Sequence, residues 1–218
     1  MDEQELKKLQ AIKQHYGFAL PAEYRAMREA GWCASVPWLD ERLDFFLGET
    51  MWFKLQEILD FRLNYPDLLP GLVPFATETH GEIWCWHTRH SGPLGTPVLE
   101  CEHDSPEAEF YAPNLTGWLY RRLLDYAWYM AWESEDTHAE MREHLKFWQD
   151  RLSPWFPPEW NRTLELIRQS SQPLSDDERD AIVSRDLTFP LLGQKIDWVS
   201  LPGEEQTSPK KRWWQFWK

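Results

Sequence analysis

The feature that most constrains the fold is a block of short strand-like runs that interrupts a series of helical patterns. Residues 72–76 form an apolar run bounded by turn residues, and residues 82–88 alternate between two faces. A period of two is typical of a strand, and it puts Ile83, Cys85 and His87 on the face opposite Trp84 and Trp86. Residues 97–101 form a third run after a loop rich in glycine and proline. The three runs predict strands of one sheet.

Helical spacing surrounds this block. Apolar residues recur at steps of three and four in residues 6–16, 52–63 and 114–132, and Pro21 opens a further short helix. Proline suits the first turn of a helix because its missing N–H would have no partner there, and Gly17 and Gly31 fit as helix ends. Three helices, then strands, then a helix is an α+β order rather than the alternation of a nucleotide-binding sheet. The sequence therefore predicts an α+β fold.

Beyond Glu133 the chain continues as a mainly helical extension. Residues 138–151 have helical character, a proline-rich segment over 153–158 breaks them, and Ser175 and Glu178 have the spacing of a helix capping box. We predict an α+β domain over residues 1–132 and a helical extension packed on it over 133–202. A linker and a basic, tryptophan-rich tail follow over 203–218.

Charge and aromatic content limit the classes of function. Fifteen tryptophans suit a thick core or a binding surface. The net charge of −13 argues against general nucleic-acid binding. Residues 100–143 hold eleven acidic residues and three arginines, an acidic belt. The belt has two readings, a charged solvent-facing surface or a binding site for a basic partner, and the candidate contacts are Glu100, Glu102, Asp104, Glu107 and Glu109.

The cysteine count, the first residues of the chain and the length of its apolar runs predict a cellular compartment. Cys33, Cys85 and Cys101 have no regular spacing, so a reducing interior fits better than a disulfide scaffold. The acidic start Met1-Asp2-Glu3 is unlike a signal peptide, and no apolar run has the length of a membrane span. We predict a cytoplasmic protein.

Three catalytic readings compete with binding. Thiolate and imidazole donors of Cys85, His87, Cys101 and His103, with His90 nearby, would converge on zinc if their strands pair, although the spacing matches no standard zinc module. A triad of Ser91, His90 and Asp104 lacks the glycine pattern of a nucleophile elbow. Paired carboxylates such as Glu100 and Glu102 are more often a solvated edge than an acid–base pair. We predict no enzyme, no cofactor and no metal site, with a zinc-dependent enzyme as an alternative.

The C-terminal tail is a separate candidate site. Trp213, Trp214, Phe216 and Trp217 lie among Lys210, Lys211, Arg212 and Lys218. This pattern suits weak contact with a membrane interface, docking into a groove on a partner, or folding back onto the chain's own domain.

Several segments, in order, resemble the SUKH superfamily over about residues 5–130. They are the second-helix segment Leu20-Pro21-Ala22-Glu23-Tyr24, the run Leu72-Val73-Pro74-Phe75-Ala76, the run Gly81-Glu82-Ile83-Trp84-Cys85-Trp86, then Pro97-Val98, Glu102-His103-Asp104 and the helix over 115–124. The resemblance implies a largely antiparallel sheet with helices packed around it.

The SUKH superfamily joins a fungal cell-wall-assembly regulator to bacterial immunity proteins that bind and block the toxins of polymorphic secretion systems. The resemblance therefore implies a protein that neutralises one toxin by stoichiometric binding, with the acidic belt meeting a basic toxin domain. The alternative is a regulatory or scaffold protein recruited to a membrane or complex through its tail.

Overall fold

The computed structural model describes residues 2–33, 50–133 and 135–199, with no account of the side chains of 131–138. Seven α-helices and six strands lie in these ranges. Their order is α1 (Glu3–Tyr16), α2 (Ala22–Glu29), β1 (Thr50–Trp52), α3 (Leu55–Asn64), β2 (Leu72–Glu78), β3 (Ile83–His87), β4 (Val98–Cys101), β5 (Glu107–Ala112), α4 (Leu115–Glu133), α5 (Glu135–Leu152), α6 (Pro158–Gln169), α7 (Asp176–Asp186) and β6 (Lys195–Asp197).

The strands form one antiparallel sheet in the order β1-β2-β3-β4-β5-β6, so each strand pairs with its neighbour in sequence. The predicted α+β class and the largely antiparallel sheet are confirmed. The predicted third helix is displaced, since Trp52 lies on β1 and the helix begins at Leu55. Trp52 is instead buried against Phe75 and Trp118, which is a tertiary contact that helical spacing cannot reveal.

Local signals place several helix ends. Gly17 closes α1 at a φ of 64°, in the left-handed region that favours glycine. Ser175 and Glu178 form the predicted capping box at the start of α7.

The sheet is covered on both faces. We call the side that carries Trp84 and Trp86 the helix face, because these residues belong to the large core with α2 and α4. The opposite face, which carries Cys85 and Leu99, forms a smaller core with Phe61 of α3 and with Trp198. Burial in these two cores accounts for part of the tryptophan content, since Trp84, Trp86, Trp118, Trp148 and Trp198 are all fully buried.

Residues beyond Glu133 belong to the same packed structure. Side chains of α5, α6 and α7 lie in the large core together with those of α1 and α2. Tyr120 of α4 stacks on Trp160 of α6 with ring centroids 4.5 Å apart, and its hydroxyl donates to Asp186 of α7 at 2.6 Å. The extension also supplies β6, whose register sets Lys195 opposite Glu109 and Asp197 opposite Glu107.

Candidate protein-binding surface

Three residues of the predicted acidic belt, Glu100, Glu107 and Glu109, lie in the strand register. Glu100 of β4 is paired with Glu109 on one neighbouring strand, β5, and with Trp84 on the other neighbouring strand, β3. Directly paired residues of neighbouring strands share a face. Glu100 and Glu109 are therefore on the helix face, where both are partly exposed.

Glu102 and Glu107 continue this surface towards the edge of the sheet. Lys195 Nζ of β6 lies 3.7 Å from a Glu102 carboxylate oxygen and 3.2 Å from one of Glu107, and all three side chains are about half exposed. Asp197 is exposed opposite Glu107. We call the set Glu100, Glu102, Glu107, Glu109 and Asp197 the acidic strip.

Asp104, the fifth predicted contact, lies elsewhere. It is exposed in the turn between β4 and β5 and takes no part in the strand register. Sequence spacing grouped it with the others because it could not show that the chain turns at residues 103–104.

A buried ion pair borders the strip on its inner side. Glu78, at the end of β2, accepts hydrogen bonds from Trp84 Nε1 at 2.6 Å and Thr50 Oγ1 at 2.9 Å. Arg122 of α4 places its Nη2 atom 3.3 Å from the same carboxylate. Burial opposes the charge of Arg122, and Glu78 nevertheless holds its pKa above the usual value. The pair anchors α4 to the sheet beside the strip.

Further polar contacts of α4 form the inner wall of the strip. Arg121 donates to the carbonyl oxygen of Tyr111 at 2.8 Å, and its guanidinium lies 3.9 Å from the centre of the Tyr111 ring. The Tyr111 hydroxyl donates to Asp125, whose carboxylate lies 3.8 Å from Arg179 of α7. Arg121 and Asp125 were not predicted as site residues, because only the docking of α4 on β5 brings them near Glu100. Arg179 was not predicted either, and it reaches Asp125 from α7.

Glu100 is the electrostatically unusual member of the strip. Burial raises its pKa from the ordinary 4.5 to about 7, against the opposing effect of Arg122 and Arg121 and with a further increase from Asp125 and Glu109. Of the two readings of the Glu100 and Glu102 carboxylates, a raised pKa or a solvated edge, the first describes Glu100. The reason is the strand register, which turns this carboxylate towards α4.

The proposed zinc donors do not converge. Among residues 2–33, 50–133 and 135–199, no group of three or more histidine, cysteine or acidic side chains is placed to hold a metal ion. Cys85 and Cys101 are buried neighbours in the smaller core, whereas His87 packs against His90 and Phe110. His103 lies 3.7 Å from Glu82 instead. The hypothesis that these donors meet at one point is wrong.

The serine of the proposed triad, Ser91, hydrogen-bonds residues outside that triad. Ser91 Oγ lies 2.7 Å from Thr96 Oγ1 and also hydrogen-bonds the carbonyl oxygen of Thr88. The tail residues Trp213, Trp214, Phe216 and Trp217 lie outside the described residues. In the described part of the chain, no helix combines the length and apolar character needed to cross a bilayer.

Comparisons with protein-family models, with curated proteins and with solved structures found no match to this chain. The resemblance to the SUKH superfamily therefore stays a prediction that depends on the quoted segments.

Proposed function

We propose that this chain is an immunity protein that neutralises a toxin by stoichiometric binding of a basic toxin domain to the acidic strip. The observation that carries the proposal is the register of β4, β5 and β6. It sets Glu100 opposite Glu109 and Asp197 opposite Glu107, each pair on one accessible face. Like charges placed directly opposite on neighbouring strands destabilise a sheet.

Facing carboxylates that lower the folding stability are expected where a bound partner removes their repulsion. A basic partner would neutralise the facing carboxylates, and the field of the strip would accelerate the encounter. The overall charge of −13 acts in the same direction at longer range. Lys195 of the chain itself already lies close to two of these carboxylates, those of Glu102 and Glu107, so one cation can be shared by two members of the strip.

The test measures protection and association kinetics with the toxin domain encoded beside the gene for this chain. Co-expression should protect cells from that toxin, and the purified proteins should form an equimolar complex. In the Glu102→Gln/Glu107→Gln variant, the association rate constant at low salt should fall about tenfold, and its salt dependence should become shallower.

The matched control is Glu29→Gln/Asp177→Gln, which removes the same charge from exposed positions on α2 and α7. An equal loss of rate in both variants would reduce the effect to net charge and contradict a specific role for the strip. Absence of both protection and binding with every toxin encoded beside the gene would overturn the immunity function.

A further inference from the structure

Glu100 and Glu109 form a pair of carboxylates that nothing in the described chain neutralises by direct contact. They are directly opposite on adjacent strands, a placement that holds the Cβ atoms of two residues about 5 Å apart. Within residues 2–33, 50–133 and 135–199, neither carboxylate accepts a hydrogen bond or lies in an ion pair. Glu100 is largely enclosed by protein, yet its side chain still reaches the surface.

The neighbouring cations are engaged elsewhere. Arg122 is directed to Glu78, Arg121 to the backbone and ring of Tyr111, and Lys195 to Glu102 and Glu107. An enclosed carboxylate without a direct partner is expensive to keep charged. Glu100 therefore behaves as half of a site that is completed from outside the chain.

We propose that Glu100 and Glu109 together bind one arginine side chain of the partner protein. This inference rests on the proposed function and names the contact at the centre of the strip. Arginine fits better than lysine because its planar guanidinium presents five donors in a fixed fork and can bridge two carboxylates. It is also more weakly hydrated than an ammonium group, which lowers the cost of entering a partly enclosed site.

The binding of a cation should favour the ionised form of Glu100. Its titration therefore reports the contact directly, and burial already places its pKa near 7, where the midpoint is convenient to measure. The charged or titratable groups that face Glu100 are Glu109 and Tyr111 from β5 and Arg121, Arg122 and Asp125 from α4. Among these, Glu109 is the one that shares the proposed ligand.

The experiment needs no toxin and uses the full chain with the small probe N-acetyl-arginine amide. Carbon-13 NMR of the side-chain carboxyl groups follows the midpoint of Glu100 in about 100 mM probe and in sodium chloride of equal ionic strength. If the probe binds the ionised form with a Kd of about 50 mM, the midpoint should fall by about half a pH unit. N-acetyl-lysine amide should produce a clearly smaller shift.

Two variants make the result specific. Glu109→Gln should abolish the difference between the arginine probe and sodium chloride, while Glu107→Gln should retain it. An unchanged midpoint in the arginine probe, an equal shift with the lysine probe, or a full shift in Glu109→Gln would each overturn the inference. These outcomes are independent of toxin protection, which can succeed through other contacts of the strip if the arginine site is absent.

Discussion

A single carboxyl group, Glu100, shows how strand register changes the chemistry of a residue. Glu102 is two positions along the same acidic run, but it is half exposed and close to Lys195. Glu100 is turned towards α4, and loss of water raises its pKa to about 7. The two residues have the same side chain, and the raised pKa of Glu100 makes the stability of the fold depend on pH.

Glu100→Gln should change the pH dependence of stability. The pKa of Glu100 is higher in the folded chain, about 7, than its ordinary 4.5, so the folded state disfavours ionisation. The free energy of unfolding is therefore highest below pH 4.5, where Glu100 is protonated in both the folded and the unfolded chain. It decreases as the pH rises to about 7, because the unfolded chain loses this proton first. The full shift corresponds to about 3 kcal/mol, an upper bound for a group that keeps some contact with water.

Urea unfolding of the wild type and of Glu100→Gln at pH 5 and pH 8 measures this effect. The variant should gain at least about 1 kcal/mol relative to the wild type at pH 8 compared with pH 5. Glu102→Gln, which removes the same charge from a more exposed position, is the matched control. Parallel pH profiles for the wild type and Glu100→Gln would contradict an enclosed, ionisable Glu100.

At the scale of secondary-structure elements, the Arg122–Glu78 pair controls how α4 sits on the sheet. Arg122 lies among buried groups, with its guanidinium near the rings of Trp84 and Trp118, and Glu78 is only 5% exposed. When one member of such a pair is removed, the other is left charged without its partner, which is costly in a low-dielectric environment.

Arg122→Met should lower the free energy of unfolding by about 3 kcal/mol or more. The double variant Glu78→Gln/Arg122→Met should lose less than the sum of the two single losses, because each change relieves the other. Lys146→Met on α5 breaks an exposed ion pair with Asp150 and should cost under about 1 kcal/mol. Additive losses at Glu78 and Arg122 would contradict a direct coupling between α4 and β2.

The predictability of each element depends on where its stabilising contacts lie. The runs over 72–76, 82–88 and 97–101 became β2, β3 and β4, because alternation and turn residues are local signals. The short strands β1 and β6, with three residues each, form only through pairing with distant strands. Strand β5 was not predicted, and Glu107 and Glu109 within it were read only as acidic residues.

The same limit applies to the candidate surface. The acidic composition of residues 100–109 was visible in the sequence, and four of the five predicted contacts lie on the acidic strip. The pairing of Glu100 with Glu109 depends on a register shift between Val98 and Leu99, which composition does not encode. Lys195 and Asp197 lie almost ninety residues further along the chain, so no local pattern could assign them to the strip.

At the scale of the whole molecule, the C-terminal part of the chain completes the sheet. Trp198 is fully buried in the smaller core and donates from Nε1 to the carbonyl oxygen of Ser105 at 2.9 Å. Its backbone bonds Pro106 on one side and Leu69 on the other. These contacts join the β4–β5 turn, the segment before β2 and the end of β6, three regions far apart in sequence.

Two truncations that differ by six residues should separate this role from any effect of the tail. A chain ending at Gly193 lacks β6 and Trp198, whereas a chain ending at Val199 keeps both. The shorter chain should lose about 4 kcal/mol or more of unfolding free energy relative to the longer one, since removing a buried tryptophan side chain alone costs about 3 to 5 kcal/mol. Thermal and urea unfolding measure the difference.

Trp198→Ala in the full chain tests the same contacts without shortening the backbone. It should reproduce most of the loss, while the chain ending at Gly193 should also lose the cation that Lys195 places beside Glu102 and Glu107. Equal stability of the two truncated chains would contradict the role of β6 as part of the folded sheet. The segment that carries the core residue Trp198 also carries Lys195 and Asp197 of the proposed binding surface, so its removal should change both stability and the charge at this edge of the sheet.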